Sequence, residues 1–131
     1  MLLVDDDEST RFLHRRNLRK ARADARFLEA ADGQAALDAL RSLAAAGENP
    51  PRLILLDVQM PRLDGWSFLA AYARHFPPER RAATRVYVTT NSVDPEAHER
   101  GDRDPEVAGM VDKLLDSAWC REVLGLASAA D

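Results

Sequence analysis

Three short apolar runs that each stop at an oxygen-bearing side chain constrain this chain more than any other feature. "MLLV" (residues 1–4) runs into Asp5, "LILL" (53–56) into Asp57, and "RVYV" (85–88) into Thr89, Thr90 and Asn91. A continuous apolar run of strand length has no polar face to show water, so both faces must be covered, as in a parallel sheet between helices. Two weaker runs, Arg26–Glu29 ("RFLE") and Gly109–Asp112 ("GMVD"), fit as further strands.

Helical patterns fill the intervals: Ser9–Ala21, Gly33–Ala46, Trp66–His75, Pro95–Gly101 and Asp116–Ala127. Asp94 before Pro95 reads as an N-cap followed by proline in the first turn, and Gly47, Asn49, Pro50 and Pro51 end the second helix. Leu115, Trp119 and Val123 recur at helical spacing, which places Trp119 on the sheet rather than in a ligand site. Five repeats of strand then helix predict an α/β, doubly wound parallel sheet with right-handed crossovers. At 131 residues, a single domain spanning 1–131 is expected.

Ligands of such folds sit at the carboxyl ends of the strands. That rule gathers Asp5 and Asp6 after the first strand, Asp57 after the third, Thr89 at the fourth and Lys113 after the fifth. No G-x-x-x-x-G-K-[ST] or G-x-G-x-x-G occupies this edge, so neither nucleotide fingerprint is present. Three carboxylates together need a cation, and hard oxygen ligands without nearby Cys or His favour Mg²⁺, which keeps room for phosphate oxygens. An Asp can then serve as nucleophile and form an acyl phosphate. Asp57, ending the most apolar strand and followed by the turn "MPRLDG", is the candidate. Asp7 and Glu8 are read instead as the start of the first helix, where its dipole favours carboxylates.

The ordered set "LLVDDDE", "LILLDVQMPRLDGW", "VYVTT" and "GMVDK" resembles response-regulator receiver domains of two-component signalling over essentially the whole chain. The resemblance implies a flavodoxin-like sheet of five strands, order 2-1-3-4-5, and phosphoryl transfer from a sensor histidine kinase or histidine phosphotransfer protein. Carried onto these residues, it implies that Asp57 is phosphorylated, that Asp6, Asp57 and the carbonyl of Gln59 bind Mg²⁺, that Asp5 assists through water, and that Thr89 and Lys113 contact the phosphate. It also makes Gln59 and Asn91 the residues that tune the lifetime of the phosphoryl group. The segment "AAAGENPPR" resembles receivers paired with phytochrome-type kinases.

Three positions depart from the family pattern. Leu114 follows Lys113 where proline is usual, so a trans peptide is expected. Met110 stands where an aromatic switch residue is usual, and Thr90 replaces a common small residue. Output is expected through protein contacts, either a target or a second copy, on the face made by helix 95–101, strand 109–112 and helix 116–127.

Two other classes remain: a receiver-like interaction module without phosphate turnover, and a Mg²⁺-dependent phosphoaspartyl phosphatase. The phosphatase pattern places two acids two residues apart after the first strand and adds a cap domain, whereas this nucleophile candidate follows the third strand. Net charge −4, from 18 basic against 22 acidic residues, disfavours nucleic acid, and the basic stretches "RFLHRRNLRKAR" and "ERRAATR" read as solvated faces. His14, His75 and His98 share no pattern and are read as surface or packing residues. A lone Cys120, no signal-peptide pattern and no run approaching ~20 apolar residues point to a cytoplasmic protein without a membrane span.

Overall fold

A computed structural model describes residues 1–60, 63–90 and 95–129, with side chains described through 125. Its strands are β1 (Leu2–Val4), β2 (Leu28–Ala30), β3 (Leu53–Asp57), β4 (Arg85–Thr90) and β5 (Val107–Asp112), all parallel, in the order β2-β1-β3-β4-β5. Its helices are α1 (Glu8–Ala21), α2 (Gly33–Ala45), α3 (Gly65–His75), α4 (Pro78–Arg81), α5 (Pro95–Arg103) and α6 (Ser117–Ala129). The expected α/β architecture and strand order are both present.

Alternation along the strands divides the core into two layers. Leu2, Val4, Ile54, Leu56, Val86 and Val88 face α2 and α3, where Leu37, Leu40, Phe68 and Tyr72 meet them. Leu3, Leu53, Leu55 and Tyr87 face the opposite way, against Leu18, Leu115, Cys120, Val123 and Leu124 of the α1 and α6 side. All five residues of β3 are buried, which explains why its apolar run lacks a polar face. Trp119 packs edge-on against Tyr87 at 5.3 Å, as its helical spacing predicts.

β5 starts two residues earlier and α5 and α6 end two residues later than expected, and two further differences have a clear physical cause. The second strand begins at Leu28 rather than Arg26: its ladder starts with Leu28 N–H donating to the Met1 carbonyl (2.8 Å), and only Ala30 of the three residues is buried. As an edge strand it has one neighbour, so its sequence carries little apolar signal. A single helical turn, α4, interrupts the segment between α3 and β4; Pro78 in its first turn and Glu79 beside it suit a helix start. The α helices that follow are therefore the fifth and sixth. Asp94, the expected N-cap of α5, and Asn91 lie outside the described residues.

Candidate functional site

Side-chain parity brings the site together. In β1, β3, β4 and β5 the odd-numbered residues Leu3, Leu55, Tyr87 and Val111 point to the α1/α6 side. One further pleat along, the odd positions are Asp5, Asp57, Thr89 and Lys113. Strand register places Asp57 opposite Thr89 and Thr89 opposite Val111, so these groups share one end of one sheet face.

Each acidic group has a defined hold. Asp57 is buried; its Oδ1 accepts from the Gln59 N–H at 3.0 Å and its Oδ2 lies 3.2 Å from the Lys113 ammonium. Asp5 is buried too, and its Oδ1 accepts from the Asp7 N–H at 2.9 Å. Asp5 Oδ2 has no hydrogen-bond partner, with the Lys113 Nζ at 3.9 Å. Asp6 is exposed, and single carboxylate oxygens of Asp5, Asp6 and Asp57 lie within 4.8 Å of one another. Asp7 instead caps α1, accepting from the Ser9 N–H (3.0 Å) and the Thr10 hydroxyl (2.8 Å), so it belongs to the helix start, as expected. Thr89 is buried beside Asp57, and the Thr90 carbonyl accepts from the Lys113 N–H at 3.1 Å.

The electrostatics are those of an undercompensated pocket. Burial pushes Asp5 up to about 6, aided by Asp57, despite the Asp7 amide and the Lys113 ammonium. Burial pulls Lys113 down, but the Asp57 and Asp5 carboxylates override it and hold its pKa above the ordinary value. One ammonium thus faces three carboxylates. A buried carboxylate oxygen without a donor, beside two more carboxylates and no Cys or His among the grouped ligands, fits a hard divalent cation such as Mg²⁺.

This predicts a pH dependence in the absence of divalent cations. Asp5 holds its proton up to about 6 in the fold but only to 3.8 as an ordinary, solvated carboxyl. Its contribution is therefore full below 3.8 and is lost as pH rises through about 6. Buried His14, held below its ordinary value mainly by burial, has the opposite sign, losing stability as pH falls. Urea unfolding from below pH 3.8 to above pH 6 isolates the first effect: Asp5→Asn removes the Asp5 loss accumulated across that window and leaves the His14 contribution.

Gly65 explains how the turn after Asp57 closes. Its N–H donates to the Val58 carbonyl at 3.2 Å, and an added Cβ would stand 2.6 Å from Val58 Cα and 2.8 Å from the Asp57 carbonyl oxygen. Neither neighbour is a movable side-chain end, so Gly65→Ala is expected to cost about 1–3 kcal/mol in denaturant unfolding. Beyond this turn a cavity of about 380 Å³ is lined by Gln59, Glu96, Trp66 and Arg100, whose guanidinium lies 4.7 Å from the Trp66 ring centre. The departures noted in the sequence also have places. Leu114 is 81% exposed, no cis peptide occurs among the described residues, and Met110 packs under α5 so closely that a Cβ on Gly101 would lie 2.1 Å from its sulfur.

Sequence reasoning placed Asp5, Asp6, Asp57, Thr89 and Lys113 on one edge, and the structure brings them together. It did not single out His14, whose Nε2 lies 2.9 Å from the Lys113 carbonyl oxygen, nor the Trp66–Arg100 contact. His14 and Leu18, four residues apart, are the two buried residues of α1, a spacing that could have marked His14 as inward-facing.

A doubly wound parallel sheet carrying an acidic cluster and a lysine at its carboxyl edge defines a narrow class. Residues 1–124 match the response regulator receiver domain, and the chain belongs to that family. It is similar to a two-component response regulator from Cytophaga hutchinsonii, with 26% identity, TM-score 0.86 and coverage of 98% of this chain and 95% of that one. A receiver protein from Dyadobacter fermentans DSM 18053 shows 29% identity and TM-score 0.81, covering 97% and 95%. The probable methanogenesis regulatory protein FilR2 of Methanothrix harundinacea (strain 6Ac) is 36% identical over 92 residues, 70% of this chain. That match spans 57% of FilR2, little more than half its length. The chain is thus a receiver domain of the two-component response-regulator kind, a signalling module, and no described helix is long and apolar enough to cross a membrane.

Proposed function

We propose that this receiver accepts a phosphoryl group on Asp57 from the phosphohistidine of a sensor histidine kinase or a histidine phosphotransfer protein. The observation that carries the reading is the buried Asp5 Oδ2, without a hydrogen-bond partner, in a cluster with Asp6 and Asp57 that a single lysine only partly balances. The carboxylates of Asp6 and Asp57 and the carbonyl of Gln59 would hold Mg²⁺, with Asp5 assisting through water. Bound there, Mg²⁺ supplies positive charge to the phosphoryl oxygens as the transfer proceeds.

The chain's own groups do the rest. A carboxylate oxygen of Asp57 attacks phosphorus in line, the bond from phosphorus to the donor imidazole nitrogen breaks, and its electron pair returns to that ring. The product is an acyl phosphate. The Gln59 N–H holds one Asp57 oxygen so that the carboxylate does not rotate freely. The Lys113 ammonium, already paired with Asp57 Oδ2, can transfer to a phosphoryl oxygen, and Thr89 on the adjacent strand offers a hydroxyl. Phosphorylation adds about −1.5 to −2 charges at pH 7. That change draws Thr89 inward and shifts the α5–β5–α6 face, where a target or a second copy would bind.

Beryllofluoride with Mg²⁺ tests this reading, with the fluorescence of Trp66 beside the turn and Trp119 on α6 as reporter. A saturable change in the wild type that Asp57→Asn abolishes supports it. No Mg²⁺-dependent binding leaves the interaction-module reading, and rapid turnover of a small phosphate ester instead identifies a phosphatase.

A further inference from the structure

His14 is a polar residue buried on α1, one turn before Leu18, on the side of the sheet that carries the site. A buried imidazole is tolerated when it is hydrogen-bonded, and the bond it makes is specific. Its Nε2 lies 2.9 Å from the Lys113 carbonyl oxygen; because a carbonyl only accepts, Nε2 carries the hydrogen. One turn on, Asn17 donates to the Leu115 carbonyl at 3.4 Å, so α1 grips the β5–α6 loop twice.

At its far end the loop is anchored by Leu115, which is buried in the core, and nearer β5 it is held by backbone contacts. The Lys113 N–H donates to the Thr90 carbonyl (3.1 Å), and the Leu114 N–H to Asp112 Oδ1 (2.9 Å). The Leu114 side chain is 81% exposed and anchors nothing. The peptide on the amino side of Lys113 is thus held by β4 and the peptide on its carboxyl side by His14. Two fixed peptide planes set the Cα–Cβ vector of Lys113, the starting point from which its flexible stem carries the ammonium to 3.2 Å from Asp57 Oδ2.

We propose that His14 is a positioning residue for Lys113: by holding the Lys113 carbonyl against α1, it aims the ammonium at the Asp57 carboxylate. The proposal rests on the reading that Lys113 acts on a phosphoryl group at Asp57. A displacement of about 1 Å in such a group can cost up to ~10²-fold in rate.

The test measures the initial rate of acetyl phosphate labelling, with Mg²⁺, alongside urea unfolding. His14→Leu, which keeps bulk and removes the donor, is expected to slow labelling by roughly 10- to 100-fold. His14→Gln, whose amide reaches as far as Nε2, restores most of the rate, whereas the shorter His14→Asn does not. In a Lys113→Ala background, His14→Leu causes no further loss of rate, because the group it aims is gone. A purely structural role gives the same proportional loss in both backgrounds, and that result overturns the proposal, as does an unchanged rate in His14→Leu. If His14→Leu does not fold, the Gln and Asn pair carries the comparison, and equal rates for the two overturn the proposal. A wild-type chain that neither labels nor binds beryllofluoride overturns the underlying reading instead, and is recognised before any variant is made.

Discussion

An Asp57→Asn chain gains no phosphoryl group from acetyl phosphate at any Mg²⁺ concentration, and its Asp5 titrates below about 6. The first effect is all-or-none, because an amide cannot act as the attacking oxygen and no other carboxylate in the cluster combines burial, an amide anchor and the lysine. Asp5 lacks the lysine contact at hydrogen-bond distance, and Asp6 is exposed. The second effect follows from Asp57 being one of the charges that push the Asp5 pKa upward. Intact mass checks the first, and the pH profile of urea unfolding without divalent cations checks the second.

Lys113→Ala moves Asp5 the other way. Removing the ammonium takes away the cation that lowers the Asp5 pKa, so the Asp5 profile shifts above about 6. Losing one preorganised cation beside the reacting group is expected to slow labelling by about 10²–10³-fold. The stability cost near pH 7 is smaller. The lysine side chain is 28% exposed and partly screened by water, which puts the expected loss at about 1–2 kcal/mol rather than the full cost of a stranded buried charge. Mg²⁺ should recover that loss, and so should lowering the pH toward 5, where Asp5 is neutral. Opposite displacements of one titration by two neighbouring substitutions are hard to obtain from general destabilisation, so the pair reports on the cluster itself.

Much of this was legible in the chain because parallel strands buried on both faces leave uninterrupted apolar runs. Leu53–Asp57 and Arg85–Thr90 announce both their own positions and the polar groups at their ends. The edge strand Leu28–Ala30 did not, since two of its three residues are exposed, and α4 is a single turn in a Pro-rich connection. Asp5, Asp6, Asp57, Thr89 and Lys113 could be assembled from the rule that sites lie at carboxyl edges. His14 could not be assigned in that way. Its role depends on the packing of α1 against the β5–α6 loop, a contact between residues 99 apart that no local pattern encodes. The Gly101–Met110 contact was hidden for a similar reason: a glycine inside a helix and a methionine in a strand acquire meaning only when α5 lies on β5.

The central claim is that Asp57 itself carries the phosphoryl group. The most direct measurement is peptide mapping by mass spectrometry after brief treatment with acetyl phosphate and Mg²⁺, with hydroxylamine used to release acyl phosphate. The account predicts one phosphoryl group per chain, confined to the peptide containing Asp57 and removed by hydroxylamine. A chain left unmodified, or one modified on His14, His75, His98 or any residue other than Asp57, would contradict it.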